Sequence, residues 1–221
     1  MRLVVPRLMC LVSSTDDLAR LPALAMAGVD AFQVRDKTLG RDGLIALTNH
    51  VMNLVPAAKV IVNDRVDVAV ITGADGVHVG ASDLPVPDVV GLVGRAQARG
   101  FLSDRFLVGA TCRTAADVRA AAEAGAAYAG VGPVFATGSK EGLPDPLGLD
   151  GLSALVAALS AGARAHAAAH PALPVLGIGG IDAGNAASVV GCGVQGVAVI
   201  GGIWRAGDPV AAARQLAAAV R

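Results

Sequence analysis

The sequence predicts an α/β protein, a (β/α)8 TIM barrel forming a single domain over residues 1–221, and three observations carry that prediction. Apolar runs alternate with helical patterns along the whole chain, and eight such runs can be counted. They are apolar throughout rather than alternately polar, as strands of a parallel sheet covered by helices must be. A third signal recurs in AMAGVDAFQV, VITGADGVHV, AEAGAAYAGV and GCGVQGVAVI. In each, a small-residue helix end meets a glycine (Gly28, Gly73, Gly125, Gly193) a few residues before a strand, where a left-handed helix C-cap releases the chain. An open doubly wound sheet is the competing arrangement; eight units in 221 residues favour closure.

In chain order, LMCLV is the first strand, followed by a helical stretch that ends at Gly28 and delivers AFQV as the second. KVIVND is the third, and VITGADGVHV passes from helix end through Gly73 into the fourth. FLVGAT is the fifth. AEAGAAYAGV turns at Gly125 into the sixth, which opens into GPVFATGSKEG. The Ala-rich ALVAALSAGARAHAAAH reads as a long helix in the penultimate unit, PVLGIGG supplies the seventh strand, and GCGVQGVAVI turns at Gly193 into the eighth.

Composition removes several functions. Hydrophobic residues make up 54% and the formal net charge is zero, so disorder is not expected and there is no basic field to attract nucleic acid. Only 3% of residues are aromatic, too few for base-stacking platforms. Cys10, Cys112 and Cys192 are odd in number and far apart, which fits reduced, buried thiols rather than a zinc or disulfide framework. No apolar stretch has the pattern of a signal peptide or the length of a membrane span, so the expectation is a cytoplasmic protein with no membrane partner and small-molecule substrates. The sequence is also compatible with a homo-oligomer.

Polar residues gather at the C-terminal ends of the expected strands, where barrel enzymes keep their chemistry. Strand two runs into Arg35 and Lys37, strand three into Asn63 and Asp64, and strand four into Asp83. Strand five ends at Thr111, and strand six opens toward Thr137, Ser139 and Lys140. Each has a plainer reading taken singly. Arg35 with Asp36 suits a solvated loop pair, and Asp64 suits a cap on the helix that follows. His78, flanked by Val and Gly, reads as a core histidine. Asp64 and Asp83, on neighbouring strands, offer two hard oxygen ligands of the kind magnesium takes, with Arg35, Lys37 and Lys140 facing the same phosphates. Strands seven and eight end instead in GIGGI and AVIGGI, bare backbone suited to a second phosphate.

The blocks QVRDK, VNDRVDVAVITGADGVHVGASDLP, GPVFATGSK and PVLGIGGI occur in an order that makes the sequence resemble the thiamine phosphate synthases over nearly its whole length. That resemblance implies a transferase joining an aminopyrimidine-methyl pyrophosphate to a thiazole phosphate, with loss of pyrophosphate, a carbocation-like methylene and attack by the thiazole nitrogen. It implies that Gln33, Arg35, Lys37 and Asn63 contact the pyrimidine pyrophosphate, with Thr111 near the same substrate and Lys140 on the pyrophosphate. Arg35, Lys37 and Lys140 are the implied catalytic cations, and Asp36 is expected to orient Arg35 and Lys37. Asp64 and Asp83 would hold Mg2+, and Thr137, Ser139, Gly180, Ile200 and Gly201 would bind the thiazole phosphate. The sequence departs from the family at Ala81 and Ser82, where Gln-Glu is usual, at Gly201, where Ser is expected, and at Ala136, where Pro is common. SKEGLP is also similar to the related thiazole tautomerases, although Arg113 stands where their histidine is expected. A tautomerase, or a non-catalytic relative that binds thiazole or thiamine phosphate, therefore remains the alternative at this level.

Overall fold

In a computed structural model describing residues 3–139, 142–165 and 173–221, eight parallel strands close into a barrel in strict sequence order, the eighth pairing with the first. The strands are β1 (Leu8–Val12), β2 (Ala31–Val34), β3 (Lys59–Asn63), β4 (Gly76–Val79), β5 (Leu107–Cys112), β6 (Tyr128–Val131), β7 (Val175–Ile178) and β8 (Gly196–Val199). Between and after them run α1 (Leu21–Met26), α2 (Arg41–Leu54), α3 (Val66–Thr72), α4 (Val86–Ala98), α5 (Ala115–Glu123), α6 (Gly148–Ala165), α7 (Ala186–Gly191), α8 (Gly201–Trp204) and α9 (Pro209–Ala219). The closed (β/α)8 barrel is thus the predicted class. The long helix is α6, which completes the sixth strand–helix unit rather than a later one, and the rest of the quoted Ala-rich run, 166–170, lies outside the described residues.

The four glycines expected to end helices all adopt positive φ, between 67° at Gly73 and 112° at Gly28. At Gly28 space forbids a side chain as well, since a Cβ would stand 2.6 Å from the Cβ of Ala217.

Two cores result from the period-two alternation of strand side chains. Outward-facing Leu8, Cys10, Val12, Phe32, Val34, Val60, Val62, Val77, Val79, Val108, Val131, Val197 and Val199 pack against the helices. Inward-facing Met9, Leu11, Ala31, Ile61, Leu107, Tyr128, Leu176 and Ala198 fill the barrel itself. Each helix buries one stripe: α2 turns Leu44, Leu47, Thr48 and Val51 to the strands, the spacing of one helical face.

At the N-terminal ends of the strands, polar groups serve structure. Asp30 accepts the amides of Arg7 and Leu8 at 2.9 and 3.0 Å, and Asp75 accepts Val60 N–H at 2.8 Å. Helix α5 starts with a full capping box: Thr114 Oγ1 accepts the Asp117 amide at 3.1 Å while Asp117 accepts the amides of Thr114 and Arg113. Burial alone would raise the Asp117 carboxyl, but those two amides hold it below its ordinary value. A depressed folded-state pKa gives stability that is present above the unfolded value of about 3.9 and lost as pH falls through the folded one. Thr114→Ala is expected to cost about 1 kcal/mol, measured by urea unfolding at neutral pH. In Asp117→Asn the capping contribution should no longer respond to acid.

Cys10 and Cys112 are buried and Cys192 is half-buried, so the expectation of three buried thiols holds for two. Burial, with the charge of Asp117 adding to it, pushes the Cys112 thiol up to about 12.

Candidate active site

The same alternation that builds the inner core carries polar side chains to its upper edge. One step beyond Ala31 on β2 comes Gln33 and then Arg35; beyond Ile61 on β3 comes Asn63; beyond Leu107 on β5 come Gly109 and Thr111. Of these, Gln33, Arg35, Asn63 and Thr111 line a cavity of about 750 Å³ at the C-terminal mouth of the barrel, with Thr137, Ser139, Gly180, Ile200 and Gly201 on its other side. A volume of that size holds a ligand well beyond a single small metabolite. Nine of the residues proposed from sequence are therefore brought together. Lys140 lies outside the described residues.

The floor is a buried polar cluster. Gln33 is buried, its amide directed to the Met9 sulfur at 3.2 Å. His78 lies between Tyr128 Oη, 3.2 Å from Nδ1, and Thr111 Oγ1, 3.0 Å from Nε2. Burial pushes the Tyr128 phenol up, which keeps it a neutral hydroxyl. His78 is buried, as a core histidine should be, yet it also lines the cavity, because its place on β4 turns it into the barrel. Gly109 makes room for this cluster: a Cβ there would fall 2.2 Å from the Tyr128 ring and 2.6 Å from His78 Nδ1.

Asp64, Asp83 and Lys37 form a second group at the rim beside the cavity. Lys37 Nζ bonds Asp64, and Gly80 N–H donates to Asp83 at 3.0 Å. Burial alone would raise Asp64, but hydrogen bonds from Asp83 and Lys37 and the charge of Lys37 hold it below its usual value. Asp83 moves the other way, pushed up by burial and then by its hydrogen bond to Asp64 and that neighbour's charge. Two carboxyls in contact drive their pKa values apart in this way, because the charge of one disfavours the charge of the other. Asp64 has φ of 64°, the one non-glycine residue with positive φ among those described, and strain of this kind concentrates at functional sites. Among the described residues, no group of three or more His, Cys, Asp or Glu gathers as a metal site. The pair nevertheless fits a magnesium ion that takes one or two carboxylates and fills its shell with water and phosphate oxygens.

Several sequence expectations are corrected here. Asp36 does not orient Arg35 and Lys37: its carboxylate accepts the amide and hydroxyl of Ser14, and the amide and hydroxyl of Thr38 at 2.9 and 2.7 Å. Burial would raise it, yet those bonds hold it well below the usual carboxylate range. Its role is to tie the loop after β1 to the loop after β2. Lys37, paired with Asp64, stands at the rim beside the cavity lining. Asp64 caps no helix, since α3 begins after Arg65 with no side-chain cap. Residues that sequence reasoning did not place in the site are Tyr128, Met9, Asp182 and Arg205, all on the cavity wall.

On the far side, the amides of Gly180, Gly201 and Gly202 have no acceptor among the described residues. Gly180 has φ of 67° and sits where a Cβ would lie 2.7 Å from Ala136 O and Phe135 Cβ. Only glycine brings that amide to the cavity without displacing the loop after β6.

The family described as thiamine monophosphate synthase matches residues 1–203. The chain belongs to the thiamine monophosphate synthase family. Among its relatives, the thiamine-phosphate synthase of Methanoculleus marisnigri is 45% identical over 203 residues, spanning 90% of this chain and 85% of the relative. That of Haloarcula marismortui is 41% identical over 199 residues, spanning 88% and 84%. The solved thiamine phosphate pyrophosphorylase of Pyrococcus furiosus superposes with a TM-score of 0.78 at 26% identity, covering 97% of this chain and 95% of that one. A 3-hexulose-6-phosphate synthase, with a TM-score of 0.66 at 22% identity, shares the barrel alone. Within this synthase family the departures have simple settings: Ala81 and Ser82 lie in the turn after β4, both exposed, and Arg113 donates to the carbonyls of Pro133 and Asp145.

Proposed function

We propose that this cavity joins an aminopyrimidine-methyl pyrophosphate to a thiazole phosphate, giving thiamine phosphate and pyrophosphate. The observation that supports this reading is the difference between the two sides of one cavity mouth, each suited to an anion in a different way. Beside β2 to β4 lie Arg35, Lys37 and the Asp64–Asp83 pair. After β7 and β8 lie open backbone amides.

In this reading Gln33, Asn63 and Thr111 hold the pyrimidine, and Arg35, Lys37 and Lys140 hold its pyrophosphate. Thr137, Ser139 and the backbone of Gly180, Ile200 and Gly201 hold the thiazole phosphate. Magnesium, when held by Asp64 and Asp83, neutralises charge on the departing phosphate oxygens. Lys37 then exchanges Asp64 for the pyrophosphate. The carbon–oxygen bond breaks with its electron pair going to pyrophosphate, and the cationic methylene carbon is captured by the thiazole nitrogen lone pair as the carbon–nitrogen bond forms. No proton moves in that exchange, so the side chains are asked for positioning and charge stabilisation rather than acid–base work. Apolar walls from Met9, Leu11, Leu176 and Ile178 keep water from the carbon. We take residues 1–221 as one such domain, acting in the cytoplasm; among the described residues no helix is long and apolar enough to cross a membrane.

The test is to incubate the purified protein with both substrates and MgCl2 and quantify products. Equal amounts of thiamine phosphate and pyrophosphate are expected. Conversion of thiazole phosphate alone, without pyrophosphate, would make the protein a tautomerase. Binding of either phosphate without turnover would make it a non-catalytic relative.

A further inference from the structure

Arg205 follows α8 and turns back over its first residue. A Cβ on Gly201 would lie 3.4 Å from both Cδ and Nε of Arg205 and 3.5 Å from Cζ, so the guanidinium lies along the Gly201 backbone. Arg205 and Gly201 both line the cavity. The guanidinium is not engaged elsewhere: no ion pair or side-chain hydrogen bond joins it to another described residue. Nearby acids in the chain are occupied by amides, Asp182 by those of Gly184 and Asn185 at 2.8 and 3.2 Å, and Asp208 by those of Val210 and Ala211 at 3.0 and 3.1 Å. An arginine fork that is free of carboxylates, beside open amides of Gly180, Gly201 and Gly202, is suited to a phosphate.

We infer that Arg205 binds the phosphate of the thiazole substrate and sets the preference of this site for the phosphorylated thiazole over its alcohol. This rests on the proposed function. The described cavity wall carries two arginines, Arg35 and Arg205, and the inference gives one to each anion site, separated by β1. Backbone amides fix where the phosphate lies, and the guanidinium supplies the net positive charge that glycine amides lack.

The experiment compares the full-length protein with Arg205→Gln and Arg205→Lys. Calorimetry measures binding of thiazole phosphate and of the corresponding thiazole alcohol, and steady-state kinetics give KM for each of the two substrates. Arg205→Gln is expected to weaken thiazole phosphate about tenfold, to leave alcohol binding and the KM for the pyrimidine diphosphate unchanged, and to be partly corrected in Arg205→Lys. Equal losses for phosphate and alcohol would overturn the inference by making Arg205 a packing residue. Unchanged thiazole phosphate affinity in Arg205→Gln would overturn it alone, whereas wild-type protein that bound no thiazole phosphate would overturn the proposed function and this inference together.

Discussion

Asp64→Asn is expected to lower turnover at least about a hundredfold, because charge stabilisation of a leaving phosphate by a metal is worth several kcal/mol and each 1.36 kcal/mol is a factor of ten. The fold should survive. Asn tolerates the left-handed conformation that Asp64 adopts, so the substitution removes the charge without adding backbone strain. A thermal melt should therefore match the wild type while kcat collapses. Burial and the neighbouring Asp64 push the Asp83 carboxyl up, so protons compete with magnesium there more readily than at an ordinary carboxylate, and the magnesium concentration for half-maximal activity should rise as pH falls. Full activity in EDTA, or wild-type kcat in Asp64→Asn, would remove the carboxylate pair from the mechanism.

Gly109→Ala is expected to be strongly damaging, since it overpacks the polar cluster on the cavity floor. Its methyl group would stand 2.2 Å from Tyr128 Cζ and 2.6 Å from His78 Nδ1. Both rings are fixed, Tyr128 being fully buried and His78 bonded at both nitrogens. Overpacking of this kind costs about 3 kcal/mol, which lowers Tm by roughly 6–12 °C in a chain of this size. Gly94→Ala supplies the opposite sign: it lies exposed in α4 with nothing within 4 Å of an added methyl group, and should gain about 0.5–1 kcal/mol from helix propensity. Calorimetry on the two variants separates the effects. A Gly109→Ala protein as stable as the wild type would mean that the His78–Tyr128 cluster can move aside.

The barrel was legible because its signals repeat: apolar runs followed by helices, with glycine C-caps ahead of four strands at Gly28, Gly73, Gly125 and Gly193. Within the site, residues that end a strand were legible, since Arg35, Asn63 and Thr111 interrupt apolar runs at the end where barrels do chemistry. Residues inside a strand were harder to read. In GVHV and YAGV nothing in the sequence says which alternate positions face inward, so His78 could be read as core without its place on the cavity floor, and Tyr128 passed as an ordinary strand residue. Side-chain partners were least legible. Asp36 sits between two cations in sequence, yet the neighbouring β1 loop brings Ser14 to it, and hydroxyl and amide donors win. Arg205 was missed for a related reason: its approach to Gly201 depends on a single turn of helix doubling back, which GGIWRAG does not announce. The separation of Gly180 and Gly201 from the Asp64–Asp83 pair was, by contrast, already implied by their assignment to opposite strands of a closed barrel.

That separation is the central claim, and a crystal structure of the protein with magnesium, pyrophosphate and thiamine phosphate tests it most directly. The prediction is pyrophosphate at Arg35 and Lys37 with the ion on Asp64 and Asp83, and the thiamine phosphate group on the amides of Gly180 and Gly201 beneath Arg205. Both phosphate groups on the same side of the cavity, or an ion bound away from Asp64 and Asp83, would contradict it.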